Sequence, residues 1–492
     1  MSGRRAADDG THGTAPEGSA MSGYDPTTDL PAGDEPAGPD RPGMAATTGD
    51  DPARGAGDAG DTTHPAGEGT CPLGHGVGRR SFLHRAVAAG AAGAALGAAG
   101  MGTAAWAADG GTSAAPDAST TTEDGDRVIA FHGAHQAGIL TPLQRSAVFT
   151  SFDVTARSRA ELGDLFKTVT ERLRFLTKGG VPDPLGISAP LPDSGVLGPV
   201  VPADGLTATL GVGSALFDDR FGLGARKPRR LRPMDTFPDD DLDADWCHGD
   251  LMLQLCADHP DTVTHALRDI ARHTRGAMQI RWRLDGFVSP PRPSGTPRNL
   301  LGFKDGTANP SATDRRMMDQ LVWVAKNSGE PDWTAGGSYQ VVRLIRMLVE
   351  FWDRVSIHEQ ERMMGRARDT GAPLDGRRET DQPQFAKDPQ GNIIPLDSHI
   401  RLANPRTAAT ADMRMIRRGY NYDRGVRDNG DLDTGLVFCC YQQDIDRQFA
   451  AVQKRLAGEP LVDYIKPYGG GYFFAVPGVR DSADWLGRTL LT

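Results

Sequence analysis

The order of apolar runs between residues 147 and 287 constrains this chain more than any other feature. Residues 147–154 (AVFTSFDV) read as a buried strand. A helix follows, with Leu162, Leu165, Phe166, Val169, Leu173 and Leu176 at three- and four-residue spacing. Two strand runs come next, 208–213 (ATLGVG) and 250–257 (DLMLQLCA). A second helix starts near the cap candidate Asp261 and stacks Val263, Ala266, Leu267 and Ile270, and 278–287 (MQIRWRLDGF) closes the set as a strand. The order β-α-β-β-α-β is that of a split ferredoxin-like unit. The second half repeats it, with a strand at 338–347, helical segments around 349–366, strands at 414–422 and 435–442, a helix at 445–457 and a last strand at 471–476. The expected fold is therefore α+β, with two ferredoxin-like (βαββαβ) halves that pack sheet to sheet around a ligand cleft. Irregular stretches at 178–205, 214–249, 288–336 and 367–413 interrupt both halves, and loops of that length are commonly functional or disordered.

The region before residue 127 has a different character. Residues 1–78 contain one aromatic, Tyr24, and 13 acids against 4 arginines, so they hold -9 of the chain's net -10. A segment this poor in apolar side chains cannot offset its ordering entropy and reads as a disordered acidic leader. The remainder is almost neutral, which argues against a nucleic-acid partner. Residues 79–108 read as an export signal of the twin-arginine type. They contain Arg79-Arg80, a weakly apolar Ala/Gly run with Leu96 as its one leucine, and the small-x-small site Ala105-Trp106-Ala107. That run is too weakly apolar for a stable membrane span in the mature form. A leader this long leaves Met44 as an alternative start. The expected division is 1–78 leader, 79–108 signal, 109–126 linker, 127–310 first half and 311–492 second half, with export to the periplasm, cell envelope or exterior. Cys247, Cys256, Cys439 and Cys440 read as buried thiols, a Cys247–Cys256 disulfide being the alternative, and no CxxC spacing suggests zinc or iron–sulfur. His265 and His273 fall on a helix and are expected to face solvent.

Three segments carry residues suited to chemistry. In GFKDGTANP (302–310) the glycines permit tight turning and close backbone approach, and Asp305 projects from the turn. DSHIRLANPR (397–406) contains His399. On the strand MIRRGY (415–420) alternation turns one of Arg417 and Arg418 inward, where a buried guanidinium is expected to need an anionic partner. Taken singly, each has an ordinary structural explanation.

Together with HQAGIL (135–140), YIKP (464–467) and GYFF (471–474), these segments make the chain resemble the dye-decolourising peroxidases from about residue 127 to 492. The likeness is greatest to the exported deferrochelatase/peroxidase branch of iron-uptake systems. The resemblance implies a dimeric α+β barrel type of fold with haem b in a cleft of the C-terminal half. It implies His399 as proximal axial ligand of the haem iron and Asp305 and Arg417 on the peroxide side. Gly306, Thr307, Ala308, Asn404, Pro405 and Arg406 would contact the macrocycle. An acid on the far nitrogen of His399 would make it more electron-donating, with Asp463 the first candidate and Asp397 the second. Trp282, Trp323, Trp352 and Tyr420 are candidates to relay electrons from bulky donors, core packing being the plainer explanation for each. The implied partners are hydrogen peroxide, phenolic or dye reductants and iron-uptake components; a homo-oligomer stays open. Three readings share this pocket: a haem peroxidase, a deferrochelatase that removes iron and leaves the porphyrin intact, and a haem or iron carrier without turnover. The peroxidase reading makes the most explicit chemical claim.

Overall fold

The first half of the barrel is built from strand β1 (Ser146–Val154), helix α1 (Arg159–Lys178), strands β2 (Thr207–Gly213) and β3 (Leu251–Ala257), helix α2 (Pro260–His273) and strand β4 (Met278–Phe287). This computed structural model describes residues 127–492 apart from 187 and 190, so the leader, signal and linker lie outside the described residues. Ser158 caps α1 by accepting from Glu161 N, and its stripe from Leu162 to Leu176 is buried as the spacing predicts. The cap position of α2 is His259, with Pro260 at the first helical position; Asp261 sits inside the first turn and bonds only Thr262 N. The strands lie antiparallel in the order β2-β3-β1-β4.

Helix α3 (Arg315–Leu321) leads to the second half. This comprises β5 (Ser338–Met347), α4 (Val349–Trp352), α5 (Ile357–Met364), α6 (His399–Ala403), β6 (Ile416–Arg417), β7 (Tyr420–Val426), β8 (Leu432–Gln442), α7 (Ala451–Leu456) and β9 (Ile465–Ala475), with α8 (Arg488–Leu491) at the end. Its order β9-β5-β8-β7 repeats that of the first half. The halves meet edge to edge. Gly211–Gly213 of β2 pair with Phe473–Ala475 of β9, and Phe287 of β4 faces Asn421 of β7. These two seams close eight strands into a barrel and leave no open edge between the halves.

Alternation along the strands sorts side chains into two cores. Val148 and Phe152 join α1 and α2 on the outside, while Ala147 and Phe149 join Met252, Trp282, Val342, Tyr420 and Cys439 in a cluster drawn from the strands. Cys247, Cys256, Cys439 and Cys440 are free and buried, so the disulfide alternative is not formed. His265 is buried, contrary to expectation, because the 178–205 loop covers α2 and places Ser194 Oγ 2.6 Å from His265 Nδ1.

The expected strand at 414–422 is broken. β6 and β7 both pair with β8, and the intervening Arg418 N donates to Cys439 O. The register against β8 is the same on both sides of the gap, so alternation places Arg417 in a cleft wall and turns Arg418 into the barrel beside Ile416 and Tyr420. There Arg418 bonds the Thr141 carbonyl, Gln144 Oε1 (2.9 Å) and the Tyr420 hydroxyl (3.5 Å). No carboxylate meets it among the described residues. Neutral oxygen dipoles meet its terminal nitrogens where an anion was expected, while Nε has no hydrogen-bond partner among the described residues. Gln144→Met should therefore lower the unfolding free energy by about 2 kcal/mol, the value of a hydrogen bond to a charged group. Chemical denaturation would measure this, and an unchanged midpoint at unchanged slope would refute it.

Candidate active site

A cleft with a cavity volume of about 260 Å³ opens between the 299–308 loop, α6, β6, α7 and the ends of β5 and β9. Its walls are largely apolar, with Leu301, Phe303, Ile345, Met347, Leu436 and Phe438 among them. Asp305, Arg417 and His399 all line it, so segments 94 residues apart in sequence converge in one place.

Asp305 is held by its loop, where Gly306 takes a φ of +113°, a left-handed conformation that favours glycine. Asp305 Oδ1 accepts from a terminal nitrogen of Arg417 at 3.1 Å, and both side chains stay about a quarter exposed (25% and 29%). Asn309 fixes their relative position. Its Oδ1 accepts from Arg417 N (3.1 Å) and its Nδ2 donates to Arg417 O (2.8 Å). The GFKDGTANP loop and the IRRGY strand are thus joined twice, through backbone and through side chains.

His399 is the first residue of α6, following Ser398 at the cap position. Its Nδ1 lies 2.9 and 3.0 Å from the two oxygens of Glu459, which is 3% exposed. With Nδ1 occupied by this carboxylate, Nε2 is the nitrogen left for the cleft. Enclosure pushes the imidazole pKa down, and the Glu459 charge and hydrogen bond carry it above its ordinary value.

Glu459 corrects the expectation placed on Asp463 and Asp397. It precedes a 3-10 turn, Pro460–Asp463. At three residues per revolution, Asp463, four positions on, points about 120° away from it. Asp463 and Asp397 are both exposed. No motif signalled Glu459, which lies 60 residues from His399 in an unremarkable Gly-Glu-Pro segment.

Gly306, Thr307, Ala308, Asn404 and Arg406 line the cleft, whereas Pro405 does not. Sequence reasoning also missed Arg366 and Arg414, which line it too. Arg366 is buried and bonds the carbonyls of Gly371 and Glu379, and Arg406 bonds Gln382 Oε1. Neither meets a carboxylate among the described residues, and burial lowers the pKa of both. Apolar walls, one imidazole nitrogen and guanidiniums lacking anionic partners suit a flat metal macrocycle that carries carboxylates. The expected relay aromatics Trp282, Trp323, Trp352 and Tyr420 are all buried, as core packing requires. Trp323 stacks on His135 at 3.7 Å.

Comparison with known proteins agrees with this geometry. Residues 136–288 match the family model "Dyp-type peroxidase, N-terminal" and residues 296–480 match "Dyp-type peroxidase, C-terminal". A deferrochelatase of Yersinia pestis bv. Antiqua (strain Nepal516) is 52% identical over 380 residues, covering 76% of this chain and 88% of that protein. A deferrochelatase of Shigella flexneri is 53% identical over 366 residues, covering 73% and 87%. Among solved structures, a DyP-type peroxidase from Cellulomonas bogoriensis superposes with a TM-score of 0.67 at 37% identity, covering 75% of this chain and 99% of that one. Ferric DtpA from Streptomyces lividans gives 0.68 at 34%, covering 76% and 100%. With both halves matched by the family models and 52% identity over the 380 residues aligned with a relative, the chain is a member of the Dyp-type peroxidase family.

Proposed function

We propose that this enzyme binds haem b through His399 and uses hydrogen peroxide to oxidise phenolic, dye or other one-electron donors. One observation carries the reading: an Asp305–Arg417 pair and an imidazole backed by a buried carboxylate share a single apolar cleft. Bound haem supplies the redox chemistry that breaks the O–O bond and then draws electrons from a reductant.

The protein's own groups manage protons and charge. Asp305 Oδ1 is engaged by Arg417, which leaves Oδ2 to take the proton from one peroxide oxygen and return it to the other. The Arg417 guanidinium stabilises negative charge on the departing oxygen. Glu459 accepts the Nδ1 proton of His399 and so fixes the tautomer that presents Nε2 to iron. Arg366 and Arg406 supply cations for the two carboxylates of the macrocycle.

A second reading rests on the relatives named deferrochelatase. In it the same pocket releases iron from haem and leaves the porphyrin intact, with Asp305 and Arg417 serving metal release. Free protoporphyrin accumulating during incubation with excess haem favours that activity, and its absence counts against it. The Arg79-Arg80 motif and the Ala105-Trp106-Ala107 site support twin-arginine export to the cell envelope or beyond, and the relatives support a link to iron acquisition.

Absorption spectra before and after peroxide test the main reading. His399→Ala should lose the haem band of the purified protein. Asp305→Asn and Arg417→Ala should retain it while reacting with peroxide about 10²–10⁴-fold more slowly. A variant that reacts at the parent's rate removes its residue from the mechanism. Glu459→Gln should keep haem but alter the iron–imidazole stretch in resonance Raman spectra; an unchanged band would show that the carboxylate does not tune His399.

A further inference from the structure

Glu379 lies outside every motif of the sequence, yet its carboxylate contacts both sides of the loop that carries Asp305. Oε2 accepts from Lys304 Nζ at 2.5 Å and Oε1 from Thr307 Oγ1 at 2.9 Å, so the residue before Asp305 and the one two places after it are held by one group. Thr296 N donates to the same Oε1 at 3.1 Å and ties in the start of the segment. The Lys304 side chain is 4% exposed and that of Glu379 13%. Lys304 donates further to Ser294 O at 2.6 Å, and the Glu379 carbonyl accepts from Arg366 in the cleft wall.

This arrangement does more than staple a surface loop. Gly306, with its φ of +113°, has no side chain to restrict it, so the direction of Asp305 is held by its own backbone bond to Pro297 O (3.0 Å) and by the contacts on Lys304 and Thr307. Asn309, further along the same loop, ties the backbone of Arg417 to it. The Asp305–Arg417 distance therefore depends on two sets of contacts along one loop, Glu379 on Lys304 and Thr307 and Asn309 on Arg417. Burial raises the carboxyl pKa of Glu379, but hydrogen bonds from Lys304, Thr296 and Thr307 outweigh it and hold the pKa at about 2. The carboxylate stays ionised in neutral and mildly acidic solution.

We propose that Glu379 is a positioning residue for the reaction with peroxide: its carboxylate clamps Lys304 and Thr307 and thereby sets where Asp305 Oδ2 stands beside Arg417. The inference rests on the peroxidase reading of the site. It is tested on the full chain with Glu379→Ala, Glu379→Gln and Thr307→Val, each alone and combined with Asp305→Asn. In haem-free protein, hydrogen exchange across 303–309 should quicken at least about tenfold in Glu379→Ala and less in Thr307→Val. With haem bound, Glu379→Ala should react with peroxide about 10²-fold more slowly, the scale of a small misplacement of a catalytic group. The KM for the reductant and the affinity for haem should change less than twofold. In the Asp305→Asn background the same substitution should slow the reaction less than twofold further. Unchanged exchange at 303–309 overturns the clamp itself. A loss that adds fully to that of Asp305→Asn, or that tracks haem affinity, overturns the positioning role. Failure of the parent chain to bind haem overturns the reading of the site, and is told apart because exchange is measured without the cofactor.

Discussion

A carboxylate buried against an imidazole sets the character of this molecule's cleft. Alone, a 3%-exposed Glu459 would be costly to ionise, and a lone histidine could rotate or shift tautomer. Together each removes the other's freedom. The ring is oriented, Nδ1 is spoken for, and what remains is one nitrogen directed into an apolar space. The other cleft features make sense around that nitrogen. In the proposed function, Asp305 and Arg417 serve as proton carrier and fixed cation, and Arg366 and Arg406 as cations for an anionic ligand.

The barrel makes this arrangement rigid. The β2–β9 and β4–β7 seams leave each half dependent on the other for a complete sheet. The cleft belongs to the second half, where the long connection between β5 and β6 supplies α5, the Glu379 segment and α6. Loops of this length pay an ordering cost that needs specific contacts to offset it. Here those contacts are Lys304–Glu379, Arg298 on the carbonyls of Arg368 and Asp369, and Arg401 on the carbonyls of Asp388 and Ile394.

Periodicity made the doubled βαββαβ order legible, because buried strands and amphipathic helices leave patterns in the chain itself. The residues lining the site were legible where short motifs carried them, as for Asp305, His399 and Arg417. Glu459, Glu379 and Arg366 were not, since each matters only through a partner distant in sequence, and nothing local marks a Glu before a proline or an Arg after a glycine. Arg418 shows a second limit. Strand alternation said that one of the two arginines turns inward, and Arg418 does, but its partners are neutral oxygens, and the outward Arg417 lines the cleft. His265 shows a third, for a helix face reads as solvent-exposed until a distant loop covers it.

Strand β9 follows every other described strand in the chain, yet it sits between β5 and β2 in the interior of the sheet order. Until β9 has emerged, both neighbours present unpaired backbone, and the β2–β9 seam between the halves cannot form. Closure of the barrel is thus preceded by a vulnerable interval, during which two sheet edges must be shielded from other chains.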